Sequence, residues 1–173
     1  MTRFLRRADD LFGAVPPSIP LLALRLALAV PFYRSGLTKW DGFLQLSGGA
    51  RYLFTTEFQL HLFGAAFAYP APILAAHLAG IAEIVLPILL VLGLCTRLSA
   101  LGLLAMTAVI QITIPDGWAN FHLAWAAMAL TLVTFGGGKI ALDAFLSARS
   151  GRPGPTRSPG PTGAGPTPRA DAR

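Results

Sequence analysis

The chain has 173 residues, of which 54% are hydrophobic and 13% charged, about half the charge density of an ordinary soluble domain. Its net charge of +6 and pI near 10.5 do not point to nucleic acid, because the basic residues gather at the two chain ends instead of mixing with aromatics on a folded surface. The single cysteine, Cys95, excludes an intramolecular disulfide and a Cys-x-x-Cys redox pair.

Residues 1–19 read as a cytoplasmic amphipathic segment. Arg3, Arg6 and Arg7 alternate there with Phe4, Leu5, Leu11 and Phe12, a pattern suited to a membrane interface. Asp9, Asp10 and the length of the apolar run that follows argue against a cleaved signal peptide. Four apolar blocks then follow, at 20–39, 73–94, 98–114 and 119–135. Each is close to the ~20 residues a helix needs to cross about 30 Å of hydrocarbon. None alternates with period two, so strands are not expected. The predicted fold is all-α, a polytopic membrane four-helix bundle occupying residues 20–146.

The connections are unequal. Blocks two and three, and blocks three and four, are joined by a few residues, which makes antiparallel neighbours. The first connection, residues 40–72, is a long extracytoplasmic loop, expected to fold as interfacial helices over the bundle mouth. Residues 147–173 are rich in Pro, Gly and Arg and lack bulky apolar groups; they read as a disordered basic tail. Arg3, Arg6, Arg7, Arg97, Lys139 and the tail arginines fall on one side, against Arg34, Lys39 and Arg51 on the other. The positive-inside rule then places both termini in the cytoplasm of a bacterial inner-membrane protein.

Glu83 stands in the middle of the second block. A carboxylate there costs about 2.5–3.5 kcal/mol by insertion scales, so it pairs, faces protein, or works. In the first block Arg25, Ala29, Phe32, Gly36 and Lys39 share one helix face. Arg25 and Arg34 are the two expected partners of Glu83, with Arg25 preferred because its face carries the small Gly36. The pair reads either as a structural ion pair or as a proton or ligand site. His77, Gln111 and His122 lie at similar depth near the outer ends of their blocks and, with Lys39, form a predicted polar layer beneath the loop. The histidines lack metal-ligand spacing, so no metal site is expected. Ala76 and Gly80 form a small-xxx-small pair, expected to let another helix approach.

Several segments in order carry a resemblance. They are Arg25-Leu-Ala-Leu-Ala, Gly36-Leu-Thr-Lys39, Ala79-Gly-Ile-Ala-Glu83, Thr96-Arg97-Leu-Ser-Ala and the closing Gly136-Gly-Gly-Lys-Ile-Ala-Leu-Asp143. Over residues 20–146 the chain resembles the DoxX family of small four-span bacterial membrane proteins. In that family the closing stretch commonly reads Gly-Pro-Gly with Ser-Leu-Asp; here Gly137 and Ala141 stand at the varied positions. The resemblance implies redox biology, as a membrane anchor or quinone-facing subunit in oxidative-stress, thiol-stress or sulfur-related systems. It admits a quinone as ligand, and the bilayer and redox-enzyme proteins as partners. A non-enzymatic scaffold or assembly factor is the second expectation and a small-molecule carrier the third.

Overall fold

The computed structural model describes Arg6 and residues 12–149. Most of the amphipathic N-terminal segment and the tail beyond Arg149 therefore lie outside the described residues; at 147–149, where the tail is expected to begin, the chain is still helical. Helix α1 spans Ser18–Leu37. The loop that follows holds strands β1 (Trp40–Gly42) and β2 (Gln45–Leu46), helix α2 (Gly48–Tyr52), a π-helical turn (Leu53–Glu57), and strands β3 (Gln59–Leu62) and β4 (Ala65–Ala68). Then come α3 (Pro72–Leu92), α4 (Thr96–Thr113), α5 (Leu123–Phe135) and α6 (Leu142–Arg149).

Local chemistry explains the boundaries. Pro72 opens α3, where a missing N–H is harmless. Gly93 closes it in the left-handed conformation, φ 72°, which glycine adopts without strain. Pro115 stops α4 and begins a 3₁₀ turn, Pro115–Gly117, followed by a π-helical turn, Trp118–His122, that leads into α5. The helical run Pro115–Phe135, together with α3 and α4, is long and apolar enough to cross a membrane. Helix α1 has similar length, but Arg25 and Arg34 lower its hydropathy.

The protein is mostly helical, and the loop is where the all-α expectation needs correction. Strands β1 and β2 pair antiparallel, as do β3 and β4. Phe63 and Gly64 between β3 and β4 both have positive φ, the backbone of a tight two-residue hairpin turn. The sequence shows only a Phe-Gly pair there, which is a weaker signal than Asn-Gly. Helix α2, rather than an interfacial helix of several turns, is the only α-helical piece among the described loop residues. Ser47 caps it, its Oγ accepting from the Ala50 N–H at 3.1 Å.

The four long helices pack in a ring, α1 on α3, α3 on α4, α4 on α5 and α5 on α1. Leu28, Phe32, Leu90, Leu103 and Leu132 fill its centre and are buried. A smaller cluster of Leu46, Ala50, Phe54 and Ala76 seats the loop on the outer part of α3. One end of the ring carries this loop; the other carries the α3–α4 turn and α6.

At the α6 end, Arg25 is 1% exposed. Its Nε donates to the Leu90 carbonyl at 2.8 Å and Nη1 to that of Gly137 at 3.3 Å, while Nη2 donates to Val91. Leu90 and Val91 are in the last turn of α3, whose carbonyls have no helical donors and which carries the negative end of the helix dipole. Each charge-assisted bond of this kind contributes about 1.5–3 kcal/mol. Asp143 does the converse job for α4. Its Oδ1 and Oδ2 accept from the N–H groups of Cys95 and Thr96, each at 2.8 Å, and its own N–H donates to Gly93. Lys139 N–H donates to Ser18 Oγ at the start of α1. The chain after α5 thus ties α1, α3 and α4 together.

Partial burial pushes the Asp143 carboxyl up, but the donors from Thr96 and Cys95 and the charge of Arg25 outweigh it and hold the acid below its usual range. A carboxylate lowered on folding stabilises fully above its unfolded pKa of about 3.9 and loses that contribution as pH falls through the folded value. Melting temperature in detergent should therefore fall on acidification below about pH 4, and Asp143→Asn should flatten that acid limb while lowering stability at neutral pH. An unchanged acid limb in the variant would remove Asp143 from the lock.

Candidate functional site: an apolar cavity with an ion pair in its wall

Glu83 pairs with Lys39. The Nζ–Oε2 distance is 2.5 Å, and the two side chains are 12% and 5% exposed. Among the described residues no other ion pair is this close. The expected Arg25 partner is thus corrected, as is Arg34, which is exposed on α1. The reason is positional. Arg25 sits low, where two carbonyls of α3 and that of Gly137 accept its hydrogen bonds. Lys39 follows the end of α1, and its flexible stem reaches down one turn to the carboxylate. Its Nζ also donates to Ser35 Oγ at 3.1 Å.

Gly36 makes this reach possible. A Cβ there would lie 3.0 Å from the Glu83 backbone and Cβ, and 2.9 Å from Ile84 Cγ1. Any other residue would push α1 away from α3 at the height of the pair. Pro87 acts from below. It has no N–H, so the Glu83 carbonyl loses its donor within α3.

The pair lines a cavity of about 480 Å³, within the 300–1,000 Å³ range of ligand pockets. Ser35 and Lys39 form one wall. Ala75, Ala79 and Ala82 of α3 form the second, and Met106, Val109 and Ile110 of α4 the third. The loop supplies the cover, with Phe54, Phe58 and Tyr69. Those rings meet in series, Phe58 edge-on to Phe54 at 5.2 Å and Phe54 tilted against Tyr69 at 5.5 Å between centroids. Tyr69 OH meets Thr113 Oγ1 at 2.6 Å; because Thr113 donates to the Val109 carbonyl, the tyrosine is the donor. Ser47 fixes the other end of the cover, its N–H donating to the Lys39 carbonyl at 2.8 Å and its Oγ to that of Thr38 at 3.0 Å.

The rest of the predicted polar layer lies elsewhere. His122 is buried, and its Nδ1 meets Gln111 Oε1 at 2.6 Å. Gln111 Nε2 donates in turn to the Pro115 carbonyl at 3.1 Å. The His122 ring fills the space a Cβ on Gly117 would take, so the pair stabilises the turn before α5. His77 Nδ1 donates to the Ile73 carbonyl of its own helix at 2.8 Å, and the ring meets Trp40 edge-on. None of these three lines the cavity. Ala76 and Gly80 likewise receive the loop, including its short helix α2, and not another long helix. Ala76 packs in the Leu46 and Phe54 cluster, and a Cβ on Gly80 would sit 2.5 Å from the Trp40 ring. A long loop that folds back competes with helices for small residues.

Sequence reasoning expects the loop around Tyr52 to Phe63 to cover the cavity, the stretch that holds Phe54 and Phe58, but it missed Tyr69 and Thr113. The available signal was the aromatic density of the loop and the recurrence of Ala75, Ala79 and Ala82 at helical spacing.

A buried pair is costly to break from one side. Lys39→Met strands the Glu83 carboxylate and Glu83→Gln strands the Lys39 ammonium, each expected to cost about 3–5 kcal/mol. The double variant should recover much of that loss. Thermal unfolding of the three proteins in one detergent measures the coupling; additive losses would show that the two side chains do not depend on each other.

The comparisons agree on kinship. A model of the family described as DoxX matches residues 20–116. A Haemophilus influenzae protein described as uncharacterized is 31% identical over 150 residues, covering 80% of this chain and 90% of that one. No solved structure matches. The chain is a member of the DoxX family of membrane proteins.

Proposed function

We propose that this DoxX protein is a four-span inner-membrane subunit of a redox system, and that its cavity binds a quinone. The observation that carries the proposal is the Lys39–Glu83 pair set into an otherwise apolar chamber roofed by three aromatic rings. An apolar pocket with a few placed polar groups is the usual form of a small-molecule site. A quinone ring suits it, since the flat face meets Phe54, Phe58 and Tyr69 while a ring carbonyl accepts from the Lys39 ammonium. Lys39 has three N–H donors, of which Glu83 and Ser35 take two, so one remains for a ligand. Glu83 holds the ammonium in place and offsets its charge within hydrocarbon.

Helix α1 completes the span count. Its 20 residues cover about 30 Å, and Arg25 turns to the carbonyls of α3 instead of to lipid. Four crossings put both ends on one side, and the excess of basic residues at those ends makes that side the cytoplasm. The loop and the cavity roof then face the periplasm. Reporter fusions test this: an insert near Gly49 should report outside and a fusion after Arg149 inside, and the reverse pattern would refute the orientation.

A scaffold role is the second reading. The bond between His122 and Gln111 and the mutual satisfaction of Lys39 and Glu83 show that much of the polar interior is self-sufficient. Quinone extraction separates the two. Protein purified in mild detergent should carry quinone, and Lys39→Met and Phe54→Ala should each lose most of it. Protein that retains none, and binds none when a short-chain quinone is titrated against Trp fluorescence, would leave the scaffold reading.

A further inference from the structure

Building on the quinone reading, we infer that the ligand carries a hydrocarbon chain that leaves the cavity sideways, between α3 and α4, into the bilayer. Below the cavity the two helices pack closely. A Cβ on Gly102 would lie 2.8 Å from Leu86 Cδ1. Above that contact the facing residues are small: Ala79 and Ala82 on α3, Ala105 on α4. Small residues between helices normally permit close approach. Here they border open space, so the small side chains leave a slot.

The slot faces lipid. Leu78 and Val109 line the cavity and are also 59% and 47% exposed on the outside of the ring. A residue that touches both the cavity and the surrounding hydrocarbon marks a mouth. The mouth is apolar on both sides, whereas the roof is held by ring contacts, the Tyr69–Thr113 bond and the Ser47 clamp. Lys39 reaches the cavity from the end of α1, so a ligand that enters between α3 and α4 arrives head first, its ring reaching Lys39 and its chain remaining in the slot. The chemical class is a quinone with a linear alkyl or prenyl tail of at least a few carbons.

A photoreactive decyl-quinone tests the geometry, with a diazirine at the far end of its chain. It is incubated with the full-length protein in phospholipid nanodiscs, irradiated, and mapped by peptide mass spectrometry. Labelling that unlabelled decyl-quinone competes away should fall on Leu78, Ala105 and Val109. Ala105→Phe should abolish that labelling and weaken decyl-quinone binding far more than binding of a tail-less quinone, with the melting temperature unchanged, since position 105 is exposed. Leu78→Trp provides a second block of the same slot. Competed labels on residues 58–69 instead would overturn the sideways exit and leave the quinone site standing. No competed label anywhere, together with no binding of the tail-less quinone, would remove the inference and the quinone reading at once. Binding of the tail-less compound with no competed label would remove the inference alone.

Discussion

A polar group carried into hydrocarbon has to find its partner within the protein, and the arrangement of α3 follows from that constraint. Its lower end exposes carbonyls, and Arg25 covers two of them. Its middle carries Glu83, and Lys39 covers it. Both cations come from α1 or its immediate end, so one helix supplies the compensation for another at two heights. With Gly36 allowing contact between them, α1 and α3 act as one rigid unit. Asp143 extends the same logic to α4, whose first N–H groups would otherwise lack acceptors.

The two cations are of different kinds, and their tasks differ accordingly. Arg25 has a planar fork with several fixed donors, suited to holding backbone carbonyls from two segments simultaneously. Lys39 is a point charge on a flexible stem. It can turn one N–H toward a new acceptor without releasing the others. The end of the ring tied by Arg25 and Asp143 is therefore held at several points, while at the other end Lys39 makes two side-chain bonds, to Glu83 and Ser35.

Much of this was legible in the sequence, and the failures share a cause. The helices are visible because length and hydropathy alone decide them, and their ends fall where Pro72, Gly93 and Pro115 put them. Glu83, Arg25 and Lys39 are visible because charge in an apolar run is expensive. What the sequence hides is who meets whom. Depth along a helix gave Arg25 as the partner of Glu83, since it ignores the free carbonyls that compete for a guanidinium. It also merged His77, Gln111 and His122 into one layer, since equal depth says nothing about which way each ring faces. The loop was hardest to read. Its hairpin turns on Phe63 and Gly64, and its aromatic residues act only once it has folded back over α3.

The cavity is bordered by α3 and α4 above their close contact at Leu86 and Gly102. The tight contact lies next to Pro87, which interrupts the hydrogen-bond ladder of α3 beneath Glu83. Above it, alanines along α3 offer α4 too little side chain to close the gap. A soluble protein would collapse such a space, because an unfilled apolar void loses packing without compensation. In a membrane the surrounding hydrocarbon can fill it, and a chain that fills it costs no exposure to water. On the proposed quinone reading, lipid and the tail of the ligand would both fill the slot, and selection between the two would rest with the head group, where Lys39 has a donor to spare.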